Sequence, residues 1–260
     1  MYQPRAIMKN HLIIPTAEPF FMKGGKIGCV LVHGFTGAPK EMRLMGNALN
    51  KKGITVVGVR LVGHATTPKD LIRMRWQDWL ASVEDGYHFL RENCTHIFLA
   101  GLSLGGILSL VCASRLDVDG VIALSAPFEL PRDWRLNFAK PISIFFPWID
   151  KGENDMRDQE IAKKHVDYPA YPIRSIAEVH DLTKVLHKAL PRINKPVLLI
   201  YSRTDHTVPF THADKIMDLV QTKACEKILI DGSGHVITED IHREFVFESC
   251  FKFINKVAGV

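Results

Sequence analysis

Six short apolar runs, most of them followed by a stretch with helical spacing, constrain this chain more than any other feature. The runs cover residues 27–32, 54–59, 96–100, 120–124, 197–201 and 227–230. They are apolar almost throughout, without polar alternation, as expected of strands buried on both faces. Amphipathic stretches follow at 39–52, 76–92, 104–116, 212–220 and 239–257. In the second of these, Trp76, Trp79, Leu80, Val83, Tyr87 and Leu90 return at helical intervals. Pro39 and Gly53 bracket the first, at the positions where helices favour them. The alternation predicts an α/β chain with a mostly parallel sheet and helices on both faces. With 260 residues, 47% apolar and 23% charged, the chain can bury a core without disulfide or metal staples. That composition excludes a disordered chain, a collagen-like repeat and a coiled coil.

The rhythm breaks between residues 126 and 194, where no clear strand is predicted. Seven prolines fall there, with an apolar cluster (Phe138, Ile142, Ile144, Phe145, Phe146, Trp148) and a charged run at 150–160. A long segment of this kind between two strands usually serves function. The predicted organisation is a core of 1–125 and 195–260 with an insertion at 126–194.

Charge narrows the partners. The net charge is +5, and residues 1–60 hold nine Lys/Arg, among them Arg5 and Lys9, against Glu18 and Glu41. The ordinary reading is a solvated basic face; the alternative is a surface that attracts anionic lipid or substrate. No basic stripe interleaved with aromatics and no zinc-finger spacing is present, so no nucleic-acid partner is expected. Cys29, Cys94, Cys112, Cys225 and Cys250 are dispersed and odd in number. They read as thiols of a reducing compartment, four of them in apolar surroundings. The apolar stretch before Pro15 is too short for a signal peptide. The longest uncharged apolar stretch, 97–113, is broken by glycines and falls just short of a membrane span. A cytoplasmic, soluble protein is the expectation, as monomer or homodimer.

Chemistry enters at Gly101-Leu102-Ser103-Leu104-Gly105. It follows a predicted strand and opens a predicted helix, the context that a G-x-S-x-G nucleophile elbow requires. The glycines let strand and helix backbones approach, while the turn exposes the serine hydroxyl. Serine is a weak nucleophile without a base, and the base needs an orienting acid. Such chains run Ser, acid, His. Asp205 follows the 197–201 run and His235 follows the 227–230 run, placing both on the sheet edge that carries Ser103.

Twelve histidines compete. His206 adjoins Asp205 and is expected to point away from it; His242 falls inside a predicted helix. Asp231 and Asp240 are rival acids, with Asp240 expected to face outward from the first turn of the last helix. Acyl transfer also needs two N–H donors for the oxyanion. The N–H of Leu104 and that of Phe35, in the loop His33-Gly34-Phe35-Thr36-Gly37, are the candidates. The Gly34 turn is expected to aim the latter inward, and His33 to brace the loop.

Three runs carry a resemblance: Val30-Leu31-Val32-His33-Gly34-Phe35-Thr36-Gly37, the elbow through Gly106, and Ser233-Gly234-His235-Val236-Ile237-Thr238. Together they resemble the bacterial carboxylesterases and monoacylglycerol lipases of the α/β-hydrolase superfamily, over nearly the whole chain. The resemblance implies the α/β-hydrolase fold, Ser103, Asp205 and His235 as triad, Phe35 and Leu104 as oxyanion hole, and the insertion as a cap. Where such relatives often read Gly-His-Gly, this chain has Gly63-His64-Ala65.

The expected activity is hydrolysis of carboxylic esters with apolar acyl chains, monoacylglycerols or short-to-medium-chain esters. No metal or cofactor is expected. Phe138, Ile142, Phe145, Phe146 and Trp148 are candidate walls of an acyl pocket, or else core beneath the cap. Thioesterase and amidase activity use the same triad. A non-catalytic binding module is the alternative of another class. Peripheral contact with a lipid surface is compatible with the hydrolase.

Overall fold

A computed structural model of the chain describes residues 12–131, 133–152 and 154–260. Arg5 and Lys9 of the basic N-terminal segment lie outside the described residues.

The described residues open with β1 (Phe20–Met22), β2 (Ile27–Val32), α1 (Lys40–Lys51) and β3 (Thr55–Val59). Next come α2 (Pro68–Arg73), α3 (Trp76–Arg91), β4 (His96–Leu102), α4 (Leu104–Ala113) and β5 (Gly120–Leu124). The inserted stretch holds α5 (Ala139–Phe145), β6 (Trp148–Asp150), α6 (Gln159–Ala162), β7 (Ala170–Pro172) and α7 (Ile173–Ala189). The chain closes with β8 (Val197–Ser202), α8 (His212–Met217), β9 (Cys225–Ile230) and α9 (Arg243–Ala258).

Among the described residues, seven strands form one sheet in the order β1-β3-β2-β4-β5-β8-β9. Only β1 runs antiparallel, pairing Phe20 with Gly58; the other pairs are parallel. The two-residue period of a strand sends alternate side chains to opposite faces. Val30, Val32, Ile97 and Leu99 therefore meet α3, α4 and α7 on one face. Cys29, Leu31, Phe98 and Ala100 meet Met42, Met45 and Leu49 of α1 and Phe247, Cys250 and Phe253 of α9 on the other. Burying each large side chain contributes about 1.5–3 kcal/mol, which is why the strands need no polar face. The α/β fold class and the six apolar strands agree with the sequence reading. β1 carries no periodic signal of its own; it exists through its pairing with β3.

The insertion departs from the expectation of no strand. β6 and β7 pair antiparallel, with Trp148 opposite Pro172. Strands of three residues have no alternation to read. The boundary at 194 is also not a packing boundary, because Val179, Leu182 and Leu186 of α7 join the main core with α3 and α4. The last helix starts at Arg243 rather than 239, with His242 at the position before its first residue. Asp240 therefore lies in the turn before the helix, fully buried instead of facing solvent. Cys29, Cys94, Cys112 and Cys250 are buried and Cys225 half-buried, all as unpaired thiols. Among the described residues no helix is long and apolar enough to cross a membrane.

Candidate active site

Close backbone packing makes the elbow. Ser103 joins β4 to α4 with φ 53° and ψ −115°, a conformation that costs a non-glycine residue about 1–3 kcal/mol. The surroundings hold it there. A Cβ on Gly101 would lie 2.0 Å from the Gly105 carbonyl oxygen, and one on Gly105 would lie 2.2 Å from that of Val32. The Ser103 N–H donates to Leu124 O at 2.8 Å, tying the turn to the end of β5. Ser103 is half-buried at the C-terminal edge of the sheet.

The 33–37 loop lies against it: a Cβ on Gly34 would sit 3.6 Å from Ser103 Cβ. His33 is fully buried. Its Nδ1 lies 2.9 Å from Gly34 O and its Nε2 accepts the Leu61 N–H at 3.1 Å. Burial pushes its pKa down to about 4, so it braces the loop as a neutral ring. The left-handed residue is Thr36, with φ 64°, and not Gly34. Gly34 instead donates its N–H to Glu41 Oε2 at 2.7 Å. Phe35 stacks on Tyr171 from the insertion at 5.7 Å. Leu104 is the first residue of α4, where backbone N–H groups lack helical acceptors.

Asp205 and His235 stand beyond β8 and β9, on the same edge. His235 Nδ1 lies 2.8 Å from Asp205 Oδ2. Oδ1 of Asp205 accepts the Thr207 and Val208 N–H groups at 2.7 and 2.9 Å. Burial works against the charged carboxylate, but His235 and these donors outweigh it and hold its pKa below the ordinary value. Burial likewise opposes the imidazolium, yet the charge and hydrogen bond of Asp205 raise the His235 pKa. The rivals are engaged elsewhere. Asp231 is an exposed partner of Arg203, and His242 Nδ1 lies 3.1 Å from Ser233 Oγ. Asp240 accepts the Gly234 N–H at 2.6 Å.

The apolar residues of the insertion do not form an enclosed acyl wall. Phe145 is 79% exposed and Phe146 68%; Phe138 and Trp148 are also exposed. Ile142 packs beside Ala139, Ile173 and Ala177. The cause is local: of the short α5, only Ala139 is buried, so the helix turns Ile144 and Phe145 outward. Among the described residues, no group of three or more His, Cys, Asp or Glu side chains is arranged to hold a metal ion.

Several site residues carried no usable sequence signal. Asp155 sits in the charged run at 150–160, where no motif singles it out, yet it contacts both the Asp205 and the His235 loops. Glu41, His165 and Glu239 form a largely buried cluster. His165 Nδ1 lies 2.6 Å from Glu239 Oε2, and its Nε2 lies 3.8 Å from Glu41 Oε1. These partners are far apart in the chain, so no motif spacing marks them.

A mostly parallel sheet with a serine elbow after one strand and an Asp–His pair beyond two later ones defines an α/β-hydrolase. The family model described as Hydrolase_4, serine aminopeptidase S33, matches residues 26–242. The chain is 34% identical over 253 residues to a thermostable monoacylglycerol lipase of Bacillus sp. (strain H-257), covering 96% of this chain and 99% of that protein. It is 28% identical over 250 residues to a carboxylesterase of Bacillus subtilis (strain 168), covering 94% and 98%. A solved structure from work on LipS and LipT, two metagenome-derived lipolytic enzymes, superposes with TM-score 0.88 at 30% identity, covering 94% of this chain and 99% of that one. The chain belongs to this carboxylesterase and monoacylglycerol lipase family of the α/β-hydrolase superfamily.

Proposed function

We propose that this chain is a serine hydrolase of carboxylic esters with apolar acyl chains, acting through Ser103, His235 and Asp205 and an acyl-enzyme intermediate. The observation that carries the reading is the 2.8 Å contact between His235 Nδ1 and Asp205 Oδ2. With Nδ1 engaged, the ring accepts a proton at Nε2. Ser103 Oγ loses its proton to Nε2 and attacks the ester carbonyl carbon. The N–H groups of Phe35 and Leu104 stabilise the oxyanion, a contribution worth about 10²–10³ in rate per donor. The imidazolium then protonates the leaving alcohol. Water, activated by the same ring, hydrolyses the acyl-enzyme and restores Ser103.

Monoacylglycerols and short-to-medium-chain esters are the proposed substrates, and the insertion is the proposed cap. Its outward aromatic face suits contact with a lipid aggregate, from which the substrate would enter. The names of the two curated relatives favour oxygen esters over thioesters and amides. Labelling with a fluorophosphonate probe tests the nucleophile. Modification mapped to Ser103, and lost in Ser103→Ala, is the expected result; labelling at another residue would refute the assignment.

A further inference from the structure

Asp155 lies in the insertion between β6 and α6, far from Asp205 and His235 in sequence. Its Oδ1 accepts the backbone N–H of His235 at 2.8 Å. Its Oδ2 accepts the backbone N–H of His206 at 3.0 Å. One carboxylate therefore bridges the two loops whose side chains form the Asp205–His235 pair. The fit is close. A Cβ on Gly234 would lie 2.4 Å from Asp155 Oδ1 and 2.3 Å from its carbonyl oxygen, so only glycine admits Asp155 at that place. The following residues extend the seam, for Arg157 and Asp158 donate their N–H groups to buried Asp240 at 2.9 and 2.8 Å.

We infer that Asp155 is a positioning residue for turnover, its carboxylate holding the His235 imidazole in register with Asp205. The inference rests on the triad assignment proposed above. A backbone N–H that accompanies the base has few ways to drift when a carboxylate clamps it. Small displacements matter, because a shift of about 1 Å can cost ~10² in rate. Asp155 also acts through charge. Three carboxylate side chains, Asp205, Asp155 and Glu41, favour the imidazolium of His235 against the effect of burial. The insertion thus takes part in chemistry as well as in substrate access.

The test uses the full chain with p-nitrophenyl butyrate. Asp155→Ala is expected to lower kcat roughly 10–100-fold with little change in KM. Asp155→Asn keeps one acceptor oxygen and removes the charge. It is expected to lose less kcat and to move the acid limb of the kcat/KM profile to lower pH, since the imidazolium has lost one favourable neighbour. Wild-type kcat with an unmoved acid limb in both variants would overturn the inference, as would a change confined to KM. Should Asp155→Ala not fold, the near-isosteric Asp155→Asn decides alone. Ser103→Ala separates the two levels. If it is inactive while the Asp155 variants match wild type, only the positioning role falls; if it still turns over the ester, the triad falls and this role with it.

Discussion

Glu41 Oε2 accepts the Gly34 N–H at 2.7 Å, so a buried carboxylate on α1 holds the loop that carries Phe35. Burial pushes the Glu41 pKa up to about 7, with His165 and the Gly34 N–H opposing that rise. Burial acts against the His165 cation too, but its hydrogen bond to Glu239 and the charge of Glu41 raise its pKa above the ordinary value. In the unfolded chain the glutamate titrates near ~4.3 and the histidine near ~6.5. Both native groups therefore hold protons that the unfolded chain has released. Their stabilisation is present on the acid side and is lost as pH rises through the native pKa values. Glu41→Gln should flatten this slope. Melting temperatures from pH 5 to 8 check it; wild type should lose more stability than the variant, and parallel curves would contradict the assignment.

His235 must be neutral to act as base, and Asp205 raises its pKa. The kcat/KM of wild type should therefore rise with pH through a value above the ordinary imidazole one. Asp205→Asn should lower kcat roughly 10⁴-fold, the size seen when a triad acid is neutralised. Steady-state kinetics on a soluble ester across pH 5–9 would show both effects. A loss under tenfold would argue for another acid.

Gly105 has no room for a methyl group, since its Cβ would meet backbone oxygen of Val32 and His33. Overpacking against backbone has little means of relief and typically costs 1–3 kcal/mol or more. Gly105→Ala should lower the melting temperature by roughly 2–12 °C and reduce activity through the displaced elbow. Thermal unfolding measures the first; an unchanged melting temperature would show that the elbow gives way easily.

The sheet was legible because its strands are buried on both faces, and continuous apolar runs such as Val30 to Val32 have few other uses. The elbow was legible because Gly101 and Gly105 serve a backbone contact that glycine alone allows. The insertion was not legible, because β6 and β7 depend on each other and α5 turns Ile144 and Phe145 outward. Asp240 shows a different limit. Placing the start of α9 a few residues early put this acid on the surface, whereas it is buried against the Gly234 N–H. Asp155 shows a third limit, because its partners are brought to it only by the folded chain.

Exposed Phe145 and Phe146 on the insertion suit a lipid surface rather than water. Replacing both with serine should weaken binding to vesicles containing monoacylglycerol. It should slow hydrolysis of that dispersed substrate more than hydrolysis of a dissolved short-chain ester. Vesicle sedimentation and paired kinetics test this; equal losses on both substrates would place the two rings in the acyl site instead.

Ester hydrolysis by Ser103 is tested most directly by turnover of p-nitrophenyl esters from C2 to C16 by wild type and Ser103→Ala. Wild-type turnover should depend on chain length, with kcat reduced about 10⁶-fold by Ser103→Ala. Turnover that survives the substitution, or no turnover of any ester by wild type, would contradict it.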